Sequence, residues 1–304
     1  MTMDDPAPRQ WQRLSLDVPQ ADVESTEDAL LAAGAVSVSL EELGDEPILE
    51  PGPGETPLWQ KVRVAGLFEE GVSPAEIMAI LHQHLRPALL GDFDYQVIED
   101  TDWVRQTQAD FAAACYGDGL WVVPHWETPP ADAKAVVRID PGLAFGTGQH
   151  GTTALCLGWL DRQALQGLNI LDVGCGSGIL ALGALVKGAE MAWGTDIDPQ
   201  ALKASADNAQ LNGIGTDRFS LGQPEELPVE ARFDILIANI LAQPLIDLAG
   251  ELAPHLKPGG RFALSGILNH QAEAVAAQWM AQGLVIDAID SLGDWSLVQG
   301  HRPH

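Results

Sequence analysis

A glycine-rich turn and an acidic residue that follows it are the parts of this sequence best suited to hold a ligand. The turn is Asp172–Gly178 (DVGCGSG), where the predicted strand Asn169–Val173 becomes a helix, and the acidic residue, Asp196, ends the next predicted strand. Glycines let a ligand approach the backbone, and a carboxylate so placed can accept hydrogen bonds from both hydroxyls of a ribose. The pattern predicts an adenosine-binding crevice that uses Gly174, Gly176 and Asp196. The alternative is a turn that serves only tight packing between strand and helix.

The spacing of the glycines distinguishes two kinds of adenosine ligand. It is G-x-G-x-G, whereas nicotinamide dinucleotides are bound by G-x-G-x-x-G, with the pyrophosphate on the glycine turn. The sequence therefore favours S-adenosylmethionine over a dinucleotide. Asp198 competes with Asp196 for the ribose, but it precedes Pro199 and is predicted to cap the helix that begins there.

Polar side chains in two other places can act near the methyl group of such a ligand. Asn239 follows an apolar predicted strand, and we hypothesise that its amide orients an acceptor amine; the alternative is that it caps a helix. In the glycine- and threonine-rich segment Asp140–Thr153, Thr152 or Thr153 is expected to cap the following helix or to touch the cofactor. His150 is expected to make a structural hydrogen bond rather than to act as a base.

Strand and helix signals divide the chain into two domains. Residues 1–98 alternate in the order βαββαβ, which predicts a small ferredoxin-like α+β domain. Residues 99–130 are polar with scattered Trp and Pro, which predicts a linker. In residues 131–304 strands and helices alternate, which predicts a doubly wound α/β fold whose parallel sheet is covered on both faces.

The pattern also predicts the individual elements of the second domain. The predicted strands are Asn169–Val173, Met191–Asp196, Phe233–Ala238, Arg261–Ser265, Leu284–Asp290 and Ser296–Gln299. The predicted helices are Ala154–Leu160, Ile179–Lys187, Pro199–Leu211, Leu241–Leu256 and Gln271–Gln282.

Composition and charge narrow the possible partners. The chain has 304 residues, with 43 acidic against 16 basic ones and a formal net charge of −27. This charge opposes binding to a phosphate backbone, where Lys and Arg supply most of the affinity, so we expect no direct binding to nucleic acid and a better fit to a basic partner. The alternative is that the acidity only keeps the chain soluble.

Cysteine content and hydropathy indicate the cellular compartment of the protein. Its three cysteines, Cys115, Cys156 and Cys175, are odd in number and lack a C-x-x-C pairing, so neither disulfides nor a zinc site is expected. The chain does not begin with a basic segment that leads into an apolar run, and no uncharged apolar stretch reaches the ~18 residues of a membrane helix. We therefore expect a cytoplasmic protein with no bound metal and no membrane association.

Three segments of the second domain closely resemble one family of enzymes. Asp140–Leu157, Ile170–Asn208 and Ala238–Leu245 are similar to the ribosomal protein L11 methyltransferase family. The resemblance implies a seven-stranded class I methyltransferase domain that moves methyl groups from S-adenosylmethionine to lysine side-chain and N-terminal amines of ribosomal protein L11. It also implies that the first domain recognises this substrate, and we expect a monomer. The implied cofactor contacts are Thr153, Gly174, Asp196 and Asn239.

The chain departs from the family pattern in the cofactor loop, and two rival functions stay open. Gln149 and Gly151 stand where the family usually has a Thr and a Pro. One rival is a methyltransferase for RNA, DNA or a release-factor glutamine, but such enzymes usually carry Asn-Pro-Pro-Tyr, whereas here Ile240 and Leu241 follow Asn239. The second rival is a non-catalytic adenosine-binding module that uses its first domain only to dock a partner.

Overall fold

In the computed structural model the chain divides into two compact units, residues 1–110 and 111–304. The residues described are 10–43, 59–91, 93–99, 111–140 and 150–304. Part of the predicted linker and positions 141–149, which include Gln149, therefore lie outside the described residues.

The first unit is a four-stranded antiparallel sheet with two helices. Its elements are β1 (Gln10–Pro19), α1 (Val23–Ala32), β2 (Ser37–Glu42), β3 (Lys61–Glu69), α2 (Pro74–His84) and β4 (Phe93–Glu99). The strand order is β2-β3-β1-β4, and every neighbouring pair is antiparallel. This order and the βαββαβ sequence of elements confirm the predicted ferredoxin-like fold.

Alternation along the central strands builds the core of the first unit. Leu16 of β1 lies opposite Val64 of β3, and Val18 lies opposite Val62. All four side chains are buried in one cluster with Leu30, Ile77 and Leu81 from the two helices. Because side chains of a strand alternate between its two faces, this spacing gives the sheet one apolar face for the helices.

The second unit contains a three-stranded and a seven-stranded sheet. The three-stranded sheet has the elements β5 (Ala114–Tyr116), β6 (Leu120–Pro124) and β7 (Ala135–Ile139). The strands of the large sheet are β8 (Asn169–Val173), β9 (Met191–Thr195), β10 (Phe219–Gly222), β11 (Phe233–Asn239), β12 (Leu256–Leu268), β13 (Val285–Leu292) and β14 (Trp295–His301). The helices are α3 (Gly151–Asp161), α4 (Ile179–Val186), α5 (Pro199–Leu211), α6 (Ala242–Asp247), α7 (Ala249–Leu252) and α8 (Ala272–Ala281).

The strand order of the large sheet is β10-β9-β8-β11-β12-β14-β13. The first five strands of that order are parallel, and β14 runs antiparallel to both of its neighbours, β12 and β13. The chain moves outward from β8 to β9 and β10, and then restarts on the other side with β11. This reversal opens a crevice at the carboxyl ends of β8 and β11, which is where open α/β sheets bind ligands.

Apolar residues cover both faces of the large sheet. On one face Trp159 of α3 is buried with residues of α4, and its indole N–H donates to Gln299 Oε1 at 2.9 Å. On the other face Trp279 of α8 is buried against α6, and its indole N–H donates to the Leu245 carbonyl at 2.9 Å. The sheet is therefore doubly wound, as the alternation of strands and helices predicts.

The structure differs from the sequence pattern in four places. β5 and β6 lie in residues 111–130, where the pattern predicts a linker. β6 pairs in parallel with β7, a strand that the pattern does not predict either. The pattern does not predict β10, which has only four residues and is too short to show a strand period. The helix predicted over 241–256 is divided into α6, α7 and a 3-10 turn that contains Pro254, whose nitrogen has no N–H to donate.

Among the described residues, no helix combines the length and the apolar character that a membrane span requires.

Candidate active site

The glycine turn lies at the carboxyl end of β8 and takes a conformation that only glycine adopts easily. Gly174, Gly176 and Gly178 have φ angles of 69°, 54° and 77°. A side chain on an L-residue with such an angle meets its own backbone, so the G-x-G-x-G spacing is a requirement of this turn. A Cβ on Gly174 would also overlap Ile240 Cγ2, which belongs to the loop after β11. The turn therefore brings backbone close to the neighbouring loop of the crevice.

Asp196 and Asp198 lie two residues apart, but their carboxylates accept hydrogen bonds from different segments. Asp196 is half-buried after β9; its Oδ2 accepts from the Gly176 N–H at 2.9 Å and its Oδ1 from the Asp198 N–H at 3.0 Å. A carboxylate has about four lone-pair sites, so capacity for further donors such as ribose hydroxyls remains. Asp198 Oδ1 accepts from the Gln200 N–H at 2.8 Å, which confirms that Asp198 caps α5.

Asn239 and Thr153 are brought together by the fold. Asn239 is the last residue of β11, and its Nδ2 donates to Thr153 Oγ1 at 3.2 Å. Thr153 is buried in the first turn of α3. The residue that caps α6 is Leu241, so the alternative reading of Asn239 as a helix cap is not what the structure shows.

Of the two alternatives for Thr152 and Thr153, the one in which either residue caps α3 is wrong. The cap is His150, whose Nδ1 accepts from the Thr152 N–H at 3.4 Å, rather than Thr152 or Thr153. The reason is that the helix begins at Gly151, which places both threonines inside its first turn. The His150 ring also lies edge-on to Trp295, with 4.7 Å between the ring centroids. These contacts agree with the structural role predicted for His150.

Asp172 is a buried acid of the turn for which the sequence patterns predict no role. It is 0% exposed. Its Oδ2 accepts from the Ala181 N–H at 3.0 Å, and its Oδ1 has no hydrogen-bond partner among the described residues. Burial raises the pKa of this carboxyl to about 7; the Ala181 N–H acts in the opposite direction, and the negative charge of Asp196 adds to the rise. A charged residue inside the apolar strand β8 is the signal that could have identified it.

Hydrogen bonds link the carboxyl end of β12, which lies beside that of β11, to the amino end of β14 near the crevice. Asn239 lies opposite Ser265 in the sheet. Ser265 Oγ donates to the Ser296 carbonyl at 2.9 Å, and Ser296 Oγ donates to Asn269 Oδ1 at 2.7 Å. Ser265 and Ser296 are buried, so these bonds fix the backbone next to Asn239. Sequence patterns do not reveal this network because its members are distant in the chain.

The fold and the crevice together define a class I S-adenosylmethionine-dependent methyltransferase. The defining features are the strand order of the large sheet, the glycine turn after β8 and the carboxylate after β9. The family model described as ribosomal protein L11 methyltransferase (PrmA) matches residues 10–303, and the chain belongs to this family. The resemblance found in the sequence is therefore confirmed.

Individual relatives agree with the family match over most of the chain. The ribosomal protein L11 methyltransferase of Pseudomonas syringae pv. tomato is 48% identical over 292 residues, which cover 96% of this chain and 99% of the relative. That of Chromohalobacter salexigens is 44% identical over 297 residues, with the same coverage of 96% and 99%. The crystal structure of a ribosomal protein L11 methylase from Lactobacillus delbrueckii subsp. bulgaricus is 35% identical, with a TM-score of 0.58, and covers 64% of this chain and 100% of that one.

Proposed function

We propose that this chain transfers methyl groups from S-adenosylmethionine to lysine side-chain and N-terminal amines of ribosomal protein L11. The observation that carries the proposal is the hydrogen bond from Asn239 to Thr153 at the crevice. It uses one N–H of the amide NH₂ group and so turns this group toward Thr153, while Asn239 Oδ1 makes no hydrogen bond among the described residues. This oxygen can accept an N–H of an amine and so direct the nitrogen lone pair. Ribosomal protein L11 is proposed as the acceptor because the relatives are named as methyltransferases of this protein.

The glycine turn and the carboxylate of Asp196 are the groups of the crevice that suit the methyl donor. Gly174 and Gly176 allow close approach of the adenosyl group, and Asp196 accepts from its ribose hydroxyls. Thr153 and Asn239 complete the set of proposed cofactor contacts. Asp172 lies fully buried beside the same turn, and when its carboxyl is ionised it places a negative charge there that complements the cationic groups of the ligand.

Methyl transfer requires the protein to bind the acceptor amine in its neutral form and to orient it. S-adenosylmethionine supplies an activated methyl group on a sulfonium. A free lysine has a pKa of about 10.4, so deprotonation at pH 7.4 costs about 4 kcal/mol. Partial desolvation and a nearby cation both lower that pKa. A neutral amide at position 239 orients the amine without restabilising its charged form, whereas a carboxylate there would oppose loss of the proton.

Charge at the carboxyl edge of the large sheet favours a basic protein as the acceptor. The described loops at this edge, residues 174–178, 196–198, 223–227, 240–241, 269–271 and 293–294, contain no Lys or Arg but do contain Asp196, Asp198, Glu225, Glu226 and Asp294. Cations such as Lys187, Arg218 and Arg302 lie at the ends of elements on the opposite edge. An acidic edge attracts an amine-bearing basic partner and repels a phosphate backbone.

The remaining assignments follow from the resemblance and from the charge. Residues 1–98 act as the substrate-recognition domain and residues 131–304 carry the reaction. Of the predicted linker, residues 99–130, the part from residue 111 onward belongs to the second unit, where β6 pairs with β7. The enzyme acts as a monomer in the cytoplasm and does not bind nucleic acid directly.

Labelled methyl transfer tests the proposal against its two rivals. The chain is incubated with labelled S-adenosylmethionine and either separated ribosomal proteins or ribosomal RNA. We expect label on ribosomal protein L11, and intact-mass spectrometry of that protein should show added methyl groups. Label on RNA would favour a nucleic-acid methyltransferase. Binding of the donor without label on any acceptor would favour the non-catalytic module.

A further inference from the structure

Asn208 connects two segments of the second unit that are far apart in the sequence. It lies on the buried face of α5 and is 2% exposed. Its Nδ2 donates to the Ser177 carbonyl in the glycine turn at 2.9 Å. Its Oδ1 accepts from the N–H of Asp140, the residue after β7, also at 2.9 Å. A buried amide with both ends bonded holds its two partners at a fixed distance and orientation.

Ser205, one turn earlier on α5, fixes the adjacent peptide of the turn. Its hydroxyl donates to the Gly176 carbonyl at 2.9 Å. Two consecutive carbonyls, those of Gly176 and Ser177, are therefore held by side chains of one helix. Because a peptide unit is planar, fixing a carbonyl also fixes the N–H of the next residue. The side chains of α5 thus set the orientation of the peptide units that form the glycine turn.

We propose that Asn208 is a positioning residue for the methyl donor. It ties the carboxyl end of β7 to the glycine turn and so keeps the turn in the conformation that receives the adenosyl group. The inference rests on the proposed function, because it takes the glycine turn to be the donor site. Asn208 itself acts through Ser177 and Asp140.

Asn212, the C-cap residue directly after α5, provides a matched control. Its Oδ1 accepts from the Arg138 N–H at 2.8 Å, and its Nδ2 donates to the Arg138 carbonyl at 2.7 Å. It therefore holds β7, two residues from the Asp140 that Asn208 holds, from the end of the same helix with the same type of side chain. Its Nδ2 also donates to the Asn208 carbonyl at 2.7 Å, a backbone group that Asn208→Ala leaves in place. Within the described residues it makes no hydrogen bond to the glycine turn. A merely structural role for Asn208 predicts equal consequences at both positions.

The test measures binding of S-adenosylhomocysteine by calorimetry, well below the Tm of each variant. We expect Asn208→Ala to raise Kd about tenfold, because the turn loses a bond that holds its binding conformation. Asn212→Ala should leave Kd within about twofold of wild type, even if its Tm falls as much as that of Asn208→Ala. In turnover assays Asn208→Ala should raise KM for S-adenosylmethionine and largely preserve kcat at saturating donor.

Several outcomes decide the matter. An unchanged Kd in Asn208→Ala, or equal increases in Asn208→Ala and Asn212→Ala, would overturn the inference. Where Asn208→Ala does not fold, Asn208→Ser is used, since one hydroxyl cannot reach both partners and the same expectation applies. A wild-type chain that binds no S-adenosylhomocysteine would overturn the proposed function together with this inference. Binding by wild type that the Asn208 variants do not alter would overturn this inference alone.

Discussion

Asn239 Nδ2 donates a 3.2 Å hydrogen bond to Thr153 Oγ1, although 86 residues separate the two in the chain. The bond joins the end of β11 to the first turn of α3, two elements that belong to different layers of the fold. It fixes which end of the amide is free to accept a hydrogen bond. The orientation of the proposed amine-binding group therefore depends on a threonine that need not touch the amine.

Replacement of Asn239 should reduce turnover more than stability. We expect Asn239→Ala to lower kcat roughly a hundredfold, because the acceptor amine loses its orientation. Asn239→Asp should also be slow, since a carboxylate favours the protonated amine. Steady-state methylation assays and thermal unfolding measure the two effects. Asn169→Ala, at the amino end of β8, is the control and should leave kcat unchanged. Normal turnover by a folded Asn239→Ala would refute the role.

Asp196 and Asp198 should separate donor binding from helix capping. Asp196→Ala should weaken binding of S-adenosylmethionine roughly ten- to hundredfold, because hydrogen bonds to a charged acceptor are lost. Asp198→Ala should cost about 1 kcal/mol of unfolding free energy through loss of the α5 cap, with little change in Kd. Calorimetry and urea unfolding provide the two readouts. The opposite assignment would be indicated if Asp198→Ala impaired binding more than Asp196→Ala.

The buried Asp172 should make stability depend on pH. Its pKa in the folded protein is raised to about 7, whereas an unfolded Asp titrates near 4. Between these values the folded state keeps a proton that the unfolded state has lost, so the free energy of unfolding falls as pH rises through this window. Asp172→Asn has no such carboxyl, so its free energy of unfolding does not fall for this reason as pH rises. The difference in unfolding free energy between the variant and wild type should therefore shift in favour of the variant from pH 5 to pH 8. Urea unfolding at both pH values checks this, and a difference that is independent of pH would contradict it.

Gly174 should tolerate alanine less well than a glycine with the same backbone angle. Gly174 has φ 69° and Gly213 has φ 66°, but a Cβ on Gly213 meets nothing within 4 Å. Gly213→Ala should cost only the backbone strain, about 1 to 2 kcal/mol. Gly174→Ala should cost more, because Ile240 must also move, and should weaken donor binding. Chemical unfolding and calorimetry measure both variants. Equal losses of stability and unchanged binding would show that the approach of Ile240 is unimportant.

Local sequence signals predicted the parts of the site whose chemistry is local. The G-x-G-x-G turn, the strand that ends before Asp196 and the cap supplied by Asp198 each depend on residues within one short segment. The βαββαβ order of the first unit was also readable, because its strands alternate clearly and Pro74 marks a helix start.

Features that depend on distant contacts could not be predicted in this way. The partnership of Asn239 with Thr153 requires the sheet to place β11 next to α3. His150 was not identified as the cap because its position depends on a contact with Trp295, which is distant in the chain. The raised pKa of Asp172 follows from complete burial, which a pattern of apolar residues suggests but does not measure.

The antiparallel strand β14 lies between β12 and β13, and in the described part of the chain β13 pairs with β14 alone. During synthesis β13 leaves the ribosome before its neighbour exists, so it cannot join the sheet by itself. β13 is therefore added together with β14 as a hairpin, or after β14 has paired with β12. Until β14 pairs, the edge of β12 stays unpaired, and the nascent enzyme depends on a late event to protect this edge from other chains.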